Sequence, residues 1–342
     1  MSLSVDIEKK LGAFHLRSQF EAPDETMALL GASGCGKSMT LKCIAGIVTP
    51  DRGRIVLGGR VLFDSEKKIN LPPQQRRVGY LFQQYALFPN MSVEQNILCG
   101  IRSGDKAEKR RVLAEKIRMF RLEGLEKKHP AQLSGGQQRR VALARILCSE
   151  PEAILLDEPF SALDSYLKWN LEIELADLLA TFNGPILWVS HDRDECYRNC
   201  RSVCVMEDGR TGEVTPMDEM IRHPGSVSAA RLAGCKNFFA AEARDGKVYL
   251  PEWNVALPLA GMENTFTTIG IPDNAVTMSK NGAMSCTVCR MILGVEENIL
   301  LLRPEGSAEG APMLRITVGH ESDLQAGAAV RVALDYSKLL LL

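Results

Sequence analysis

Short apolar runs alternate with glycine-rich and charged stretches along the first two thirds of the chain. The run from Met27 to Leu30 leads into the glycine-rich segment 31–38, and residues 39–47 then have the spacing of a helix. Two further apolar runs, 153–156 and 186–189, end in polar residues. Strands that are apolar throughout are typical of a parallel sheet buried on both faces, and ligands bind at the carboxyl ends of such strands. The pattern predicts an α/β fold with a site at one edge of a parallel sheet.

Two other regions have different patterns. Residues 105–129 combine charge with apolar positions at helical spacing, which predicts an amphipathic helical insert. From about residue 236 the apolar runs are short, as in KVYL, TTIGI and VRVALDY, and Gly, Pro, Asn and Asp interrupt them. This pattern of short apolar runs predicts a separate, mostly β domain.

Composition agrees with a two-domain globular protein. A chain of 342 residues is longer than one average domain, and 45% hydrophobic with 24% charged residues excludes a wholly disordered protein. The net charge of -1 gives no indication of nucleic-acid binding. The first residues have no secretory signal, and no run approaches the roughly 18 apolar residues that span a bilayer. We therefore expect a cytoplasmic protein that reaches a membrane only through a partner.

Ten cysteines without a secretory signal predict reduced thiols. Cys286 and Cys289 form a CxxC pair, but a zinc site needs a second pair of ligands and none is visible. Cys196, Cys200 and Cys204 recur every four residues, which favours small buried side chains along one helix face. Their roles stay open.

The segment GASGCGKS at residues 31–38 satisfies the phosphate-binding pattern GxxxxGK[ST] through Gly31, Gly36, Lys37 and Ser38. Glycines let backbone N–H groups converge on phosphate oxygens, and the following helix offers its positive N-terminal end. Lys37 is predicted to reach the β- and γ-phosphates, and the Ser38 hydroxyl to coordinate Mg²⁺. The alternative is a glycine-rich turn that only caps a helix.

Asp157 and Glu158 close the apolar run that begins at residue 153. Asp157 stands where a second carboxylate directed at Mg²⁺ is needed. Successive strand residues point to opposite sides, so Glu158 must gain its position from the strand end and the turn at Pro159. Glu158 is then a candidate general base for an attacking water. The alternative is a solvated carboxylate pair.

Six segments stand in the order typical of one family: GASGCGKS, LFQQ with Gln83, LSGGQ at 133–137, LLDEP at 155–159, SALD at 161–164 and VSHD with His191. Together they resemble an ATP-binding cassette (ABC) ATPase over residues 1–232. The resemblance implies a P-loop NTPase core of RecA-like type with a helical subdomain at about 88–148. It also implies a small C-terminal regulatory β-barrel, OB-like and of TOBE/MOP type, at 233–342.

The resemblance implies a head-to-tail homodimer in which ATP lies between the P-loop of one subunit and the LSGGQ of the other. His191 would contact the γ-phosphate, Gln83 would contact Mg²⁺ or the attacking water, and Asp164 would bridge the dimer. Phe14 is the candidate for stacking on adenine, with Phe20 or a core role as alternatives. The ATP contacts implied in the chain's own subunit are Gly31, Ser33, Gly34, Cys35, Gly36, Lys37, Ser38 and Met39; those in trans are Leu133, Ser134, Gly135, Gly136 and Gln137; the Mg²⁺ ligands are Ser38, Gln83 and Asp157.

Residues 54–88 look most like subunits of molybdate importers, with sulfate importers close by, and the C-terminal third resembles their regulatory domain. That domain is expected to stabilise the dimer, with oxyanion binding as the alternative. The implied partners are transmembrane permease subunits and, indirectly, an extracytoplasmic binding protein, at the cytoplasmic face of a bacterial membrane. No nucleic acid is expected.

Several alternatives stay open at this point. The cargo could be sulfate or thiosulfate, ferric iron, a polyamine or a sugar. A soluble ABC ATPase of DNA repair or translation is disfavoured by the single cassette and its short insert. An oxyanion-binding module without catalysis is disfavoured because Lys37, Asp157, Glu158 and His191 are all present.

Overall fold

The computed structural model describes residues 1–102, 104–160, 165–180, 182–258, 266–321 and 324–342, with the backbone alone for 165–167. Two compact units divide the chain, Met1–Met217 and Asp218–Leu342. The sequence-based domain boundary lies at 232/233. The intervening residues form two short helices that belong to the second compact unit.

The first unit alternates strands and helices. Its strands are β1 Leu3–Leu11, β2 Phe14–Ala22, β3 Thr26–Leu30, β4 Arg52–Leu57, β5 Arg60–Asp64, β6 Ile69–Asn70, β7 Val78–Leu81, β8 Ala153–Asp157, β9 Ile186–Ser190, β10 Ser202–Glu207 and β11 Arg210–Pro216. Its helices are α1 Lys37–Ala45, α2 Pro73–Arg76, α3 Val93–Leu98, α4 Lys106–Met119, α5 Gly135–Cys148, α6 Ser165–Leu179 and α7 Arg193–Asn199.

These strands form one mixed sheet in the order β6-β5-β4-β1-β2-β11-β10-β3-β9-β8-β7. The stretch from β10 to β7 is parallel, whereas β1, β2, β4, β5 and β6 pair antiparallel with one another. Strands β8 and β9 are buried along their whole length, as the apolar runs predict. The predicted α/β core with a parallel sheet is confirmed.

The carboxyl ends of three central strands are level with one another. Leu30 of β3 pairs with Ser190 of β9, and Val189 of β9 pairs with Asp157 of β8. The residues that follow each strand therefore meet at one edge of the sheet. The phosphate-binding segment 31–38 begins directly after Leu30 at this edge.

Two predicted helices end earlier than the sequence suggests. The helix predicted for residues 39–47 is α1, which ends at Ala45 because Gly46 adopts a left-handed φ of 79° and its N–H bonds back to Cys43. The insert predicted at 105–129 is helical only in α4. Arg121 turns the chain with a φ of 50°, which lets both Phe120 and Leu122 be buried.

Arg76 is a fully buried cation at the C-terminal end of α1. Its guanidinium donates to the carbonyls of Cys43 and Ile44, each at 2.8 Å. It also donates to Leu71 O and Asn70 Oδ1, both at 2.8 Å. The last carbonyls of a helix have no intrahelical partner, so Arg76 satisfies them and fixes α1 to the β6–α2 segment.

The second unit contains two short helices followed by antiparallel strands. Its elements are α8 Met217–Arg222, α9 Val227–Leu232, β12 Asn237–Ala240, β13 Glu242–Arg244, β14 Lys247–Leu250, β15 Val255–Leu257, β16 Thr268–Ile271, β17 Val276–Met278, β18 Met284–Ile292, β19 Asn298–Pro304, β20 Leu314–Val318, β21 Ala329–Leu334 and β22 Leu340–Leu341.

Among the described residues, the second unit holds a five-stranded sheet of order β17-β21-β18-β19-β20 and two three-stranded sheets. The five-stranded sheet is antiparallel and barrel-like, which confirms the predicted small OB-like β domain. Trp253 is fully buried in its core and donates from Nε1 to Pro312 O at 2.7 Å. Within the described parts of both units, no helix is long and apolar enough to cross a membrane.

Arg76→Met is expected to lower the free energy of unfolding by about 3 kcal/mol, because buried carbonyls lose their donors. Urea unfolding followed by circular dichroism measures the loss. The matched control is Arg54→Met: Arg54 Nε lies 3.5 Å from Asp64 Oδ2, but 54% of its side chain is exposed. That variant should lose less than about 1 kcal/mol. Equal losses in the two variants would contradict the role of Arg76.

Candidate functional site

The loop between β3 and α1 requires glycine at two points. Gly36, the N-cap of α1, has a φ of 113°, which is in the left-handed region. At Gly31 a Cβ would lie 2.2 Å from Met206 O, so no side chain fits there. The loop is therefore held close to β10 while α1 begins without a side-chain cap. Its first amides remain available to an anion.

Lys37 folds back over the loop that precedes it. Its Nζ donates to Gly31 O at 2.7 Å and to Ala32 O at 2.8 Å, and the residue is only 4% exposed. Cys35 Sγ lies 3.8 Å from the same Nζ, and burial raises the pKa of the Cys35 thiol. The ammonium group is thus placed inside the loop where phosphate oxygens would converge.

Asp157 has a separate partner for each carboxylate oxygen. Ser38 Oγ donates to Oδ1 at 2.7 Å, and the Tyr80 hydroxyl donates to Oδ2 at 2.8 Å. Burial, followed by the adjacent carboxylate, raises the pKa of Tyr80. A hydroxyl and a carboxylate oxygen in contact at the base of the loop are the oxygen ligands that Mg²⁺ prefers. Ser38 and Asp157 therefore fit the predicted metal site.

Glu158 turns away from the line of β8. It has a φ of 47°, and its N–H donates to Val189 O at 3.0 Å on the neighbouring strand. Its Oε1 lies 3.4 Å from His191 Nδ1. The carboxylate is 20% exposed and the imidazole 58%, so both can contact a ligand in the open edge. The expectation that Glu158 gains its position from the strand end agrees with this left-handed turn.

The segment 133–137 forms the start of α5. Ser134 is the N-cap, and its Oγ accepts from Gln137 N at 3.3 Å while Gln137 Oε1 accepts from Ser134 N at 2.9 Å. Leu133 is buried and anchors the turn. Ser134 and Gly135 are exposed, and a Cβ at Gly135 would have nothing within 4 Å. This helix N-terminus presents an open surface.

The remaining predicted residues differ in how closely the structure associates them with the loop. A Cβ at Gly36 would lie 3.2 Å from Phe14 Cζ, so the Phe14 ring adjoins the loop, whereas Phe20 is buried in the core. Gln83 is exposed just beyond β7, whose Leu81 pairs with Leu156 at the same edge. Asp164 lies outside the described residues, as does the rest of SALD at 161–164.

Three residues near the site escaped the sequence analysis: Tyr80, Lys168 and Arg139. Tyr80 is the polar-tipped side chain at the buried end of an otherwise apolar β7. Lys168 is a basic residue in a mostly apolar stretch of α6, SYLKWNLEIEL. Both signals are present in the sequence, but their partners Asp157 and Asp192 are distant along the chain.

Arg139 is a buried cation in the second turn of α5. Its guanidinium lies 5.5 Å from the Tyr85 ring centroid and 4.7 Å from that of Phe160. Nη2 donates to the Tyr85 hydroxyl at 3.0 Å, while Nε and Nη1 have no hydrogen-bond partner among the described residues. The aromatic faces provide cation–π attraction in place of a carboxylate. Arg139 thereby ties the turn after Gln83 to the helix that begins at the LSGGQ segment.

The cysteines form no recognisable metal site. Cys286 is buried and Cys289 half-buried, and all ten thiols are free. Over the described ranges no three His, Cys, Asp or Glu side chains are grouped so that they could hold a metal ion.

The comparisons with known proteins agree with this geometry. Residues 19–161 match the family model described as ABC transporter. The molybdenum import ATP-binding protein ModC of Paramagnetospirillum magneticum is 38% identical over 65% of the chain and 61% of its own length. The spermidine/putrescine import ATP-binding protein PotA of Methylococcus capsulatus is 37% identical over 82% and 66%. The sulfate/thiosulfate import ATP-binding protein CysA 2 of Agrobacterium fabrum is 32% identical over 92% and 91%.

Among solved structures, the dimeric post-hydrolysis state of the ATP-binding cassette MJ0796 bound to ADP and Pi is similar. It has a TM-score of 0.52 and 27% identity, and it covers 64% of this chain and 99% of the MJ0796 chain. The similarity covers about the length of the first unit. The chain thus spans somewhat less than two thirds of the first ModC and PotA relatives but nearly all of CysA 2. On these matches the chain belongs to the ABC transporter family.

Proposed function

We propose that this chain is the ATP-hydrolysing subunit of an ABC importer. The observation that carries the proposal is the meeting of two pairs, Ser38–Asp157 and Glu158–His191, at the sheet edge where the P-loop begins. The first pair suits a metal and phosphate oxygens, and the second suits an attacking water. The import names of the relatives support the same activity.

Separate residues at this edge of the sheet then carry out phosphate binding, proton transfer and charge stabilisation. Lys37 and the first amides of α1 hold the phosphate oxygens, and Phe14 is placed to contact the base. Glu158 takes a proton from a water molecule while the oxygen of that water attacks the γ-phosphorus. The bond between the γ-phosphorus and the oxygen that bridges it to the β-phosphate breaks, which releases ADP and phosphate. His191 stabilises the developing phosphate charge beside Glu158. Mg²⁺ held by Ser38, Asp157 and Gln83 would supply further charge neutralisation.

We propose that the active form is a head-to-tail homodimer. The open N-terminus of α5, with Ser134 and Gly135 exposed, offers amides and a positive helix end to a phosphate bound elsewhere. A second copy of the chain would present this surface to the γ-phosphate, and Asp164 would lie at the contact between copies. The dimeric MJ0796 cassette is consistent with such an arrangement.

We propose that the chain works against transmembrane permease subunits at the cytoplasmic face of the membrane, and that an extracytoplasmic binding protein delivers the cargo. Gln83 and the Tyr85 turn, linked to α5 through Arg139, would report nucleotide state to the permease.

Molybdate is the cargo that we propose, on the resemblance of residues 54–88 and on relatives that include ModC. Sulfate or thiosulfate, polyamines and ferric iron are the alternatives, since CysA, PotA and FbpC proteins match comparably. A cavity of about 450 Å³ in the second unit has Glu305 as the charged residue among its described lining. A carboxylate repels oxyanions, so this cavity does not support oxyanion binding, and dimer stabilisation stays the role that we propose for the unit.

Tyr80→Phe should raise the Mg²⁺ concentration needed for half-maximal ATP binding. The variant loses the hydrogen bond from Tyr80 to Asp157 Oδ2. In the wild-type chain this bond orients the carboxylate so that Oδ1 faces Ser38. We expect a rise of up to about tenfold, equivalent to one hydrogen bond to a charged group. Fluorescence titration with an ATP analogue at several Mg²⁺ concentrations measures it. Tyr197→Phe, which alters an exposed tyrosine on α7, is the control, and matching curves for both variants would contradict the expectation.

Glu158→Gln should lower ATP hydrolysis by about 100-fold or more, because the general base is lost. ATP should still bind and hold the chain as a dimer, detected by size-exclusion chromatography with light scattering. Phosphate release measures turnover. Undiminished turnover would exclude Glu158 as the base.

Two further variants complete that experiment. Glu150→Gln is the matched control, since Glu150 is an exposed glutamate with a similar φ of 45°, and it should hydrolyse ATP normally. Adding Ser134→Arg to Glu158→Gln should prevent the ATP-dependent dimer while each chain still binds ATP. A dimer that persists in the double variant would contradict the shared site.

The cargo is tested in the complete complex with its permease and binding protein. Molybdate and tungstate should stimulate ATP hydrolysis by the reconstituted complex, and sulfate should do so only weakly. Uptake of labelled oxyanion into vesicles gives the second readout. Stimulation by sulfate, thiosulfate, ferric iron or spermidine in place of molybdate would replace the proposed cargo and leave the ATPase assignment intact.

A further inference from the structure

A charged cluster joins α6 to the start of α7, immediately beside His191. Lys168 Nζ lies 2.5 Å from Asp192 Oδ2 and 2.8 Å from Glu195 Oε2. The Glu195 side chain is only 3% exposed, and its other oxygen accepts from Trp188 Nε1 at 2.8 Å. One ammonium group from α6 therefore binds two carboxylates of the segment that follows β9.

Asp192 uses its second oxygen to begin α7. Its Oδ1 accepts from Asp194 N at 2.9 Å and from Glu195 N at 3.1 Å, so it is the side-chain cap of the helix. The Asp192 N–H donates to Ser190 Oγ at 3.1 Å. His191 therefore lies between Ser190, the last residue of β9, and Asp192, the N-cap of α7. Lys168 of α6 binds that N-cap residue.

The charges in this cluster stabilise one another. Burial alone would lower the pKa of Lys168, but its hydrogen bonds to Asp192 and Glu195 raise it. Burial opposes the charged form of Asp192 as well, yet the bond from Lys168 and the helix amides lower the pKa of that carboxyl. Lys168 and Asp192 are therefore charged at neutral pH, and removal of the cation would leave two carboxyl groups close together, that of Glu195 being buried.

We propose that Lys168 is a positioning residue for ATP hydrolysis: it fixes Asp192 and thereby holds His191 beside Glu158. The inference rests on the proposed function. It predicts that Lys168 acts on turnover and hardly on ATP affinity, since neither Lys168 nor Asp192 belongs to the P-loop. A 1 Å displacement of a reacting group is enough to lower a rate by about 100-fold.

A second link between the same two helices gives a matched control. Arg198 binds Glu172 with Nε at 2.7 Å and Nη2 at 2.9 Å, so it too joins α7 to α6. Arg198 lies in the last turn of α7, away from His191. If docking of the helices were all that mattered, loss of either link would have the same effect.

The test uses the full chain and the variants Lys168→Met, Lys168→Arg and Arg198→Gln. Lys168→Met should lower kcat by about tenfold or more, with the KM for ATP changed by less than about twofold. Lys168→Arg should restore most of kcat, because a guanidinium can bind both carboxylates. Arg198→Gln should retain kcat within about threefold.

A double variant and a hydrogen-exchange measurement test the role of Lys168 even if Lys168→Met does not fold. The double variant Lys168→Met, Glu195→Gln also removes the buried carboxyl group that loses its cation, so it should fold even if Lys168→Met does not, and its kcat should remain low. Amide hydrogen exchange of residues 190–195, measured without nucleotide, should be faster in Lys168→Met and in the double variant than in the wild-type chain. It should be unchanged in Arg198→Gln.

The inference is overturned if the folded Met variant keeps kcat and the exchange of residues 190–195, or if Arg198→Gln reduces both equally. A parallel loss of ATP affinity would also contradict it. Failure of the wild-type chain to hydrolyse ATP would instead refute the proposed function, and the exchange measurement would still decide whether Lys168 holds the segment around His191.

Discussion

The level ends of β3, β9 and β8 are the constraint on which the site depends. Parallel pairing places Leu30 beside Ser190 and Val189 beside Asp157. Three loops of different sequence therefore start side by side at the same edge. Glu158 and His191 directly follow their strands, and the loop after β3 returns to this edge at Ser38. A shift of one position in the pairing of β9 with β8 would separate Ser38 from Asp157 and His191 from Glu158, because strand residues alternate between faces.

Buried charge in the first unit is matched by specific donors and acceptors. Asp157 receives two hydroxyls, Glu195 receives an ammonium and an indole N–H, and the Arg76 guanidinium meets four acceptors. Such satisfaction is needed because an unpaired buried charge costs several kcal/mol. Arg139 differs, since aromatic rings adjoin a guanidinium whose Nε and Nη1 have no hydrogen-bond partner in the part of the chain that the structure describes.

The sequence could predict those parts of the site that are local along the chain. The P-loop, the acidic end of β8 and the serine that caps α5 each depend on a few neighbouring residues, and their chemistry follows from spacing. Helix α1 ends before residue 47 because Gly46 has a left-handed backbone conformation. Helix α4 is shorter than the helical insert predicted at 105–129, because the chain turns after it to bury both Phe120 and Leu122. Tyr80, Lys168 and Arg139 could not be assigned, since their partners become neighbours only through the order of the strands and the packing of α5, α6 and α7.

Three helices begin at or near this edge of the sheet, and they differ in what satisfies their first amides. Helix α7 is capped by Asp192, with Asp194 and Glu195 in its first turn, so its positive end is already neutralised within the chain. Helix α1 has a glycine at its N-cap, no acidic residue in its first turn, and the Arg76 guanidinium on its last carbonyls. The first amides of α1 therefore meet no negative charge from its own first turn, and the glycine loop leaves them open to phosphate. Helix α5 is capped by Ser134 but also lacks an acidic first turn. The two helices that the proposed mechanism aims at phosphate are thus the two that carry no negative charge of their own in the first turn.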